Sequence, residues 1–253
     1  MTDFDGRGIL VTGASRGIGR AVAVGFAEHG ARVAVHFGTN ESAAKETLDL
    51  LSGSGHVMVG AELTDPDDVA RMVDEAVHAL GRLDVLVNNA GVYETHPVAE
   101  VTYDDWQRAW RHTLAVNLVA AANASFLAAR HMMATGGGRI VNVSSRGAFR
   151  GEPEAPAYGA SKAGMNAMGQ SLAVALAPYG VTVTTVAPGW VATDMADDHL
   201  NAPSGEAIRA QSPLGRVATA EEVAAAVLFL ASDGASYVSG AILDVNGASY
   251  LRS

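Results

Sequence analysis

The chain has 253 residues, 49% of them hydrophobic, a formal net charge of −10 and no cysteine. That length and apolar share support one large α/β core and exclude disorder. The acidic balance argues against a nucleic-acid footprint or an anionic membrane surface, and the lack of cysteine removes disulfides, thiolate metal sites and a cysteine nucleophile. The acidic opening Met1–Asp5 lacks the apolar core of a signal peptide. The most apolar long stretch, Leu114 to Ala129, is interrupted by Asn117, Asn123 and Ser125 and is read as non-spanning. A cytoplasmic protein with no membrane or nucleic-acid partner is expected.

Short apolar strands alternate with helical spacing along the whole chain. Ile9–Val11 reads as a buried strand, followed by a glycine-rich turn through Gly13, Gly17 and Gly19. A helix over Ala21–Glu28 follows, with Gly30 as its C-terminal stop. Strands are predicted over Arg32–His36, His56–Gly60, Leu83–Val87, Arg139–Val143, Val181–Val186 and Ala241–Val245. Helices are predicted over Ser42–Leu51, from Asp65-Pro66 to about Leu80, from about Tyr103 to Met133, over Tyr158–Ala177 and over Ala220–Ala231. Alternation of this kind builds a parallel sheet covered on both faces, in one domain over 1–253. The segment Trp190 to Ser212 is long for a loop and is expected to be a substrate lid or a short helical excursion.

In such sheets ligands bind at the carboxyl ends of the strands. Strand, glycine turn and helix form the context of a dinucleotide fingerprint: the glycines permit a sharp turn, close approach to a pyrophosphate and tight helix packing. The helix N-terminus then offers free N–H groups to the anion. The spacing here is G-x-x-x-G-x-G. No acid ends the second strand, where one would hold a ribose 2′-hydroxyl, and Arg16 lies in the glycine turn. Together these tilt toward NADP(H), with NAD(H) possible, unless Arg16 is only a solvated turn residue. Asp65 reads as an N-cap, Glu62 and Leu63 could border an adenine, and Asn88-Asn89-Ala90-Gly91 suits either a ligand wall or a plain turn.

Tyr158 and Lys162, spaced i and i+4, share one helical face. A lysine cation beside a phenol favours the phenolate and is expected to lower its pKa, making it a usable acid or base, with a serine hydroxyl opposite to hold a substrate oxygen. Such a pair also recurs by chance on surfaces. The eight histidines are scattered, and no cluster has metal-ligand spacing.

Thr12-Gly13-x-x-x-Gly17-Ile18-Gly19, Asn88-Asn89-Ala90-Gly91, Asn117, Ser145, Tyr158-x-x-x-Lys162 and Pro188-Gly189 occur in order at fitting separations. Together they resemble the short-chain dehydrogenase/reductase family, over essentially the whole chain. The resemblance implies a doubly wound Rossmann-type α/β sheet of about seven parallel strands. It implies Tyr158 as acid/base, Lys162 as the group that lowers its pKa and holds the nicotinamide ribose, Ser145 as substrate-orienting hydroxyl, and Asn117 as holder of a relay water. Gly13, Ser15, Arg16, Gly17, Ile18 and Gly19 would form the pyrophosphate turn. Glu62, Leu63, Asn89, Ala90 and Gly91 would border the adenosine half; Pro188, Gly189, Val191 and Thr193 would flank the nicotinamide and diphosphate. Glu62 departs from the Asp or Asn usual there, which puts its adenine contact in doubt.

The implied activity is hydride transfer between NADP(H) and a carbonyl or secondary alcohol, by analogy including 3-oxoacyl carrier-protein reduction. The rivals are an NAD(H)-dependent alcohol dehydrogenase, a catalytically idle dinucleotide-binding sensor, and a scaffold that binds no cofactor. Tyr93, His96, Phe149, Glu152, Trp190 and Met195 are candidate pocket residues, and Arg146 and Arg150 could meet an anionic substrate or solvent. The small residues Gly159, Ala163, Gly164, Ala167 and Ser171 either pack their helix on its own sheet or admit a neighbour, and relatives' habits make a homotetramer or homodimer expected.

Overall fold

A computed structural model describes residues 4–252; Met1–Asp3, with most of the acidic opening, and Ser253 lie outside them. Seven strands form one sheet: β1 Gly8–Val11, β2 Arg32–Phe37, β3 Val57–Gly60, β4 Val85–Asn88, β5 Gly138–Val143, β6 Val181–Pro188 and β7 Ile242–Val245. Every pairing is parallel, in the order β3-β2-β1-β4-β5-β6-β7. The order reverses between β1 and β4, and that switch point leaves a crevice at the carboxyl strand ends.

Ten α-helices flank the sheet among the described residues: α1 Gly17–Glu28, α2 Glu41–Leu50, α3 Pro66–Leu80, α4 Tyr103–Leu114, α5 Ala120–Thr135, α6 Gly147–Arg150, α7 Pro156–Leu176, α8 Asp194–Asn201, α9 Gly205–Arg209 and α10 Ala220–Ala231. One buried cluster joins the sheet to α1, α2 and α10 through Val22, Phe26, Ala44, Val223 and Val227. The other joins it to α3, α5 and α7 through Met72, Val73, Ala128, Met132 and Leu176. Both faces are thus covered, which is why the central strands carry apolar residues at successive positions.

Local chemistry sets the boundaries. Asp65 accepts from Asp67 N–H with Pro66 at the first helical position of α3, and Gly81 at φ 72° closes it. Thr219 and Glu222 form a capping box on α10. Gly30, at φ 85°, follows the C-cap of α1 as expected. The long helix expected from Tyr103 to Met133 is instead two helices joined by a π turn, Ala115–Val119. The extra residue buries Asn117 completely. Its amide donates to Val92 O at 3.0 Å and Ser161 Oγ at 3.2 Å, and its Oδ1 accepts from Val92 N–H at 2.8 Å. Hydrophobic periodicity does not reveal a π turn, because one inserted residue barely changes the apolar spacing.

The continuous stretch Tyr103–Thr135 is long and apolar enough, by length and composition alone, to cross a membrane, a test that a core helix also passes. Here half of its most apolar window is buried inside the fold. Its buried Ser125 accepts from Asn88 Nδ2 at 2.9 Å, so polar residues that interrupt the apolar run serve the core.

Candidate active site

The loops after the strands surround a cleft of about 680 Å³ at the carboxyl edge. Its floor on one side is the glycine turn. Gly13 and Gly17 have φ of 63° and 55°, conformations that side chains resist. A Cβ on Gly13 would lie 2.9 Å from Ala90 Cα, and one on Gly19 only 2.2 Å from Gly13 O. Gly19 therefore serves helix packing and does not line the cleft. No side chain caps α1 and no acid occupies its first turn, so its leading N–H groups are left for an anion beside Gly17 and Ile18. This open, uncapped cradle fits a dinucleotide pyrophosphate.

Three side chains hold the turn. The Asn89 amide donates to Thr12 O at 2.9 Å and Gly13 O at 3.0 Å. Arg20 donates to Ser15 O at 2.7 Å. His36, buried at the end of β2, accepts Gly13 N–H on Nδ1 at 2.9 Å, with Nε2 3.2 Å from Ala61 O. Burial outweighs the Ala61 bond and the Glu62 charge, and pushes the imidazole down to about 4, so it is neutral and Nε2 carries the proton. Neither Arg20 nor His36 was among the expected site residues. A histidine inside an otherwise apolar strand is the sequence signal that could have found the latter.

Ser15, Arg16, Leu63, Ala90, Gly91, Pro188, Gly189, Val191 and Thr193 all line the cleft. Arg16 is exposed and pairs with Asp194 of α8 at 3.4 Å. Glu62 lines the cleft too, but its carboxylate accepts from Thr64 N–H and Oγ–H, both at 3.0 Å. Asn117 stands behind the wall: a Cβ on Gly91 would lie 3.3 Å from its Oδ1 and 3.4 Å from Lys162 Nζ.

At the other end, Ser145 stands beside the Tyr158 hydroxyl, near enough to act on its proton, and accepts Gly147 N–H at 3.0 Å. Tyr158 and Lys162 do share one face of α7, but the ammonium is not on the phenol. Lys162 Nζ donates to Val143 O at 2.9 Å and lies 5.7 Å from the Tyr158 ring centroid. The expected lowering of the phenol by the lysine is therefore not what these side chains produce. Burial pushes Tyr158 up to about 12, opposed by the Ser145 hydroxyl and reinforced by the Glu152 charge. Burial also pulls Lys162 down to about 8.

Tyr93, Glu152, Trp190 and Met195 line the cleft as expected; His96 and Phe149 do not. His96 is buried in scaffolding, accepting Ala157 N–H on Nε2 at 3.1 Å at the start of α7. Phe149 lies under the Arg252 guanidinium, 4.5 Å away. Arg146 is buried at the cleft wall, and Arg150 lies outside it. The segment after Trp190 carries α8 and α9; Asp194, Met195, Ala196 and His199 of α8 reach the cleft. No group of three or more His, Asp or Glu with metal-binding placement occurs among the described residues.

Comparison with known proteins agrees with this geometry. A family model described as enoyl-(acyl carrier protein) reductase matches residues 13–248. An L-rhamnose 1-dehydrogenase (NAD(P)(+)) of Sphingomonas sp. is 38% identical, over 100% of this chain and 99% of its own. A 3-oxoacyl-[acyl-carrier-protein] reductase of Salmonella typhimurium is 38% identical over 98% and 99%, and a cis-4-hydroxycyclohexanecarboxylate dehydrogenase of Sinomonas cyclohexanicum is 41% identical over 96% of each. With its doubly wound sheet and glycine turn, the chain belongs to the short-chain dehydrogenase/reductase family and is a nicotinamide-dependent oxidoreductase.

Proposed function

We propose that this protein interconverts a carbonyl and a secondary alcohol with Tyr158 as the acid–base group and NADP(H) as the preferred cofactor. The observation that carries it is the Ser145–Tyr158 pair opening onto the same cleft as the uncapped start of α1. When bound, the nicotinamide supplies or takes the hydride. The remaining work falls to the chain. Ser145 Oγ orients the substrate oxygen. In reduction Tyr158 Oη donates its proton to that oxygen, and burial keeps the phenol in the protonated form this requires. In oxidation the phenolate form of the same oxygen accepts the alcohol proton. Lys162, fixed on Val143 O, stands where a ribose hydroxyl would reach it, and Asn117 braces the Val92 backbone beside it. A ketone panel with NADPH tests the role. Tyr158→Phe keeps packing and cofactor binding and is expected to lose roughly a hundred- to ten-thousand-fold in kcat. Near-normal kcat in that variant would refute it, and tight cofactor binding without turnover of the panel would favour an idle sensor.

The cofactor preference is supported by β2 ending in Phe37 with no acid, by Thr39 and Asn40 at the rim, and by Arg16 beside them. Arg16 is solvent-screened and shared with Asp194, so its worth lies near the low end of charge-assisted bonds, about 1.5 kcal/mol or roughly tenfold. The expected outcome is a higher kcat/KM with NADPH than with NADH, narrowed in Arg16→Ala through the KM for NADPH. Equal use of NADH by the unaltered enzyme would sink it.

The substrates named for the relatives range from a sugar to an acyl carrier-protein conjugate, so the names do not choose one. We read residues 1–253 as one domain, cytoplasmic, with α8 and α9 as substrate lid, and as a homotetramer built partly on α5 and α7. Gly164 and Gly159 are used internally, against Leu118 and Gly147, while Ala163, Ala167, Ser171 and Val174 of α7 and Phe126 of α5 face outward.

A further inference from the structure

We propose that the substrate end of the cleft takes a neutral polyhydroxylated ring, a sugar or sugar-like polyol. Glu152 accepts hydrogen bonds from its hydroxyls, and the Tyr93, His199 and Trp190 rings cover its C–H face. The proposal rests on Tyr158 being the acid–base group and names the substrate class of that same site.

Glu152 lies in the loop between α6 and α7, packed so closely on Gly147 that a Cβ there would be 2.3 Å from its Oε1. It lines the cleft, is half-buried, and has no side-chain hydrogen bond or ion pair among the described residues. Burial holds this carboxyl above its usual range, and its charge pushes both Tyr158 and Tyr93 upward. An unpaired carboxylate beside the reacting phenol opposes phenolate formation and is costly to desolvate. A substrate that brings hydrogen-bond donors relieves both costs.

Charge selects which donors. Arg146 and Arg150 act electrostatically on Glu152 from the same side and disfavour a cationic ligand. They do not form an anion clamp: Arg146 donates from Nη1 to Ser249 Oγ and from Nη2 to Gln211 Oε1, both at 2.5 Å, and Arg150 donates to that same Gln211 oxygen at 3.0 Å. An anionic substrate in the cleft would meet the Glu152 carboxylate and the Arg146 guanidinium, which is already engaged. A neutral, donor-rich substrate meets neither penalty.

The cleft also carries a row of aromatic rings. Tyr93 stands edge-on to Tyr158 at 5.0 Å, His199 of α8 edge-on to Tyr93 at 6.0 Å, and Trp190 lies 5.4 Å from His199. At the mouth, His112 pairs with Glu94 at 2.5 Å and adds a second polar contact. A ring with an apolar C–H face and a hydroxyl-bearing edge complements a cleft that carries both aromatic rings and a carboxylate. In its oxidation at alkaline pH the carbon's hydride passes to the oxidised nicotinamide and the hydroxyl proton to Tyr158 Oη in its phenolate form, leaving a carbonyl on the ring.

The test uses six-membered rings of matched size with the whole enzyme and NADP⁺ at alkaline pH: a panel of aldopyranoses, cyclohexanol, and cis-4-hydroxycyclohexanecarboxylate. At least one aldopyranose is expected to exceed cyclohexanol in kcat/KM by a hundredfold or more. Glu152→Gln should shrink that ratio at least tenfold, chiefly through the KM for the sugar, and Trp190→Ala should raise the same KM. Preference for the carboxylate ring, or a ratio unmoved by Glu152→Gln in a variant that still binds cofactor, would overturn the proposal. Cyclohexanol turnover that Tyr158→Phe abolishes, without any sugar preference, would overturn the substrate class and leave the Tyr158 reading standing. Sugar turnover undiminished in Tyr158→Phe would instead strike that reading.

Discussion

Tyr158 and Lys162 sit one turn apart on α7, and burial drives both toward their uncharged forms. Spacing alone predicted an ion-assisted phenol, but desolvation dominates when the ammonium is held by Val143 O rather than by the phenol. His36 shows the same physics with a measurable outcome. Its pKa is about 4 in the fold against 6.5 in an unfolded chain. Above pH 6.5 the ring is neutral in both states and its contribution is complete. As pH falls toward 4 only the unfolded chain gains the proton, so stability is lost across that window, by about 3 kcal/mol at its lower end. His36→Asn retains an acceptor for Gly13 N–H without titrating. Denaturant melts at pH 7 and pH 4 should show wild type losing about 3 kcal/mol more than this variant, and parallel losses would refute the role.

At the scale of elements, the π turn between α4 and α5 does what neither helix could do alone. It sends Asn117 under Gly91 and ties the loop after β4 to α7 through Val92 and Ser161. Asn117→Ala leaves both polar groups of Val92 without these partners, at a cost of about 2–3 kcal/mol. In a chain of this length that corresponds to a melting temperature roughly 5–10 °C lower. A thermal scan within about 1 °C of wild type would remove the bracing role. Regular elements were legible in the sequence because strands and capped helices announce themselves locally: Asp65-Pro66 and Gly30 lie where expected. The π turn and α6 were not, since each is short and owes its shape to neighbours, whereas the short helical excursion expected after Trp190 is present as α8 and α9.

For the molecule as a whole, α5 and α7 cover one sheet face yet leave Phe126 and Val174 at 63% and 79% exposure. Large apolar side chains left outward beside a stripe of alanines are what a packed neighbour would cover. Sedimentation is expected to give a species of about four times the 26.0 kDa chain mass, and Val174→Asp should halve it or reduce it further. A monomer in the unaltered protein would sink the assembly.

The amino-acid sequence by itself determined the parallel sheet, its glycine turn and the order of the polar residues that follow each strand. These depend on apolar runs, chain stiffness and turn chemistry, all local properties. Only the tertiary structure decided which polar residues became site and which became scaffold. Glu152 and His96 read alike as pocket candidates, yet one carboxylate is left unpaired in the cleft while the other side chain is buried, accepting Ala157 N–H. Asn89 both lines the cleft and holds the turn together, while Gly19 of the same motif only packs the helix on the turn. The reason is physical: a side chain's role follows from the partners and desolvation it meets, and those come from segments far away in the chain.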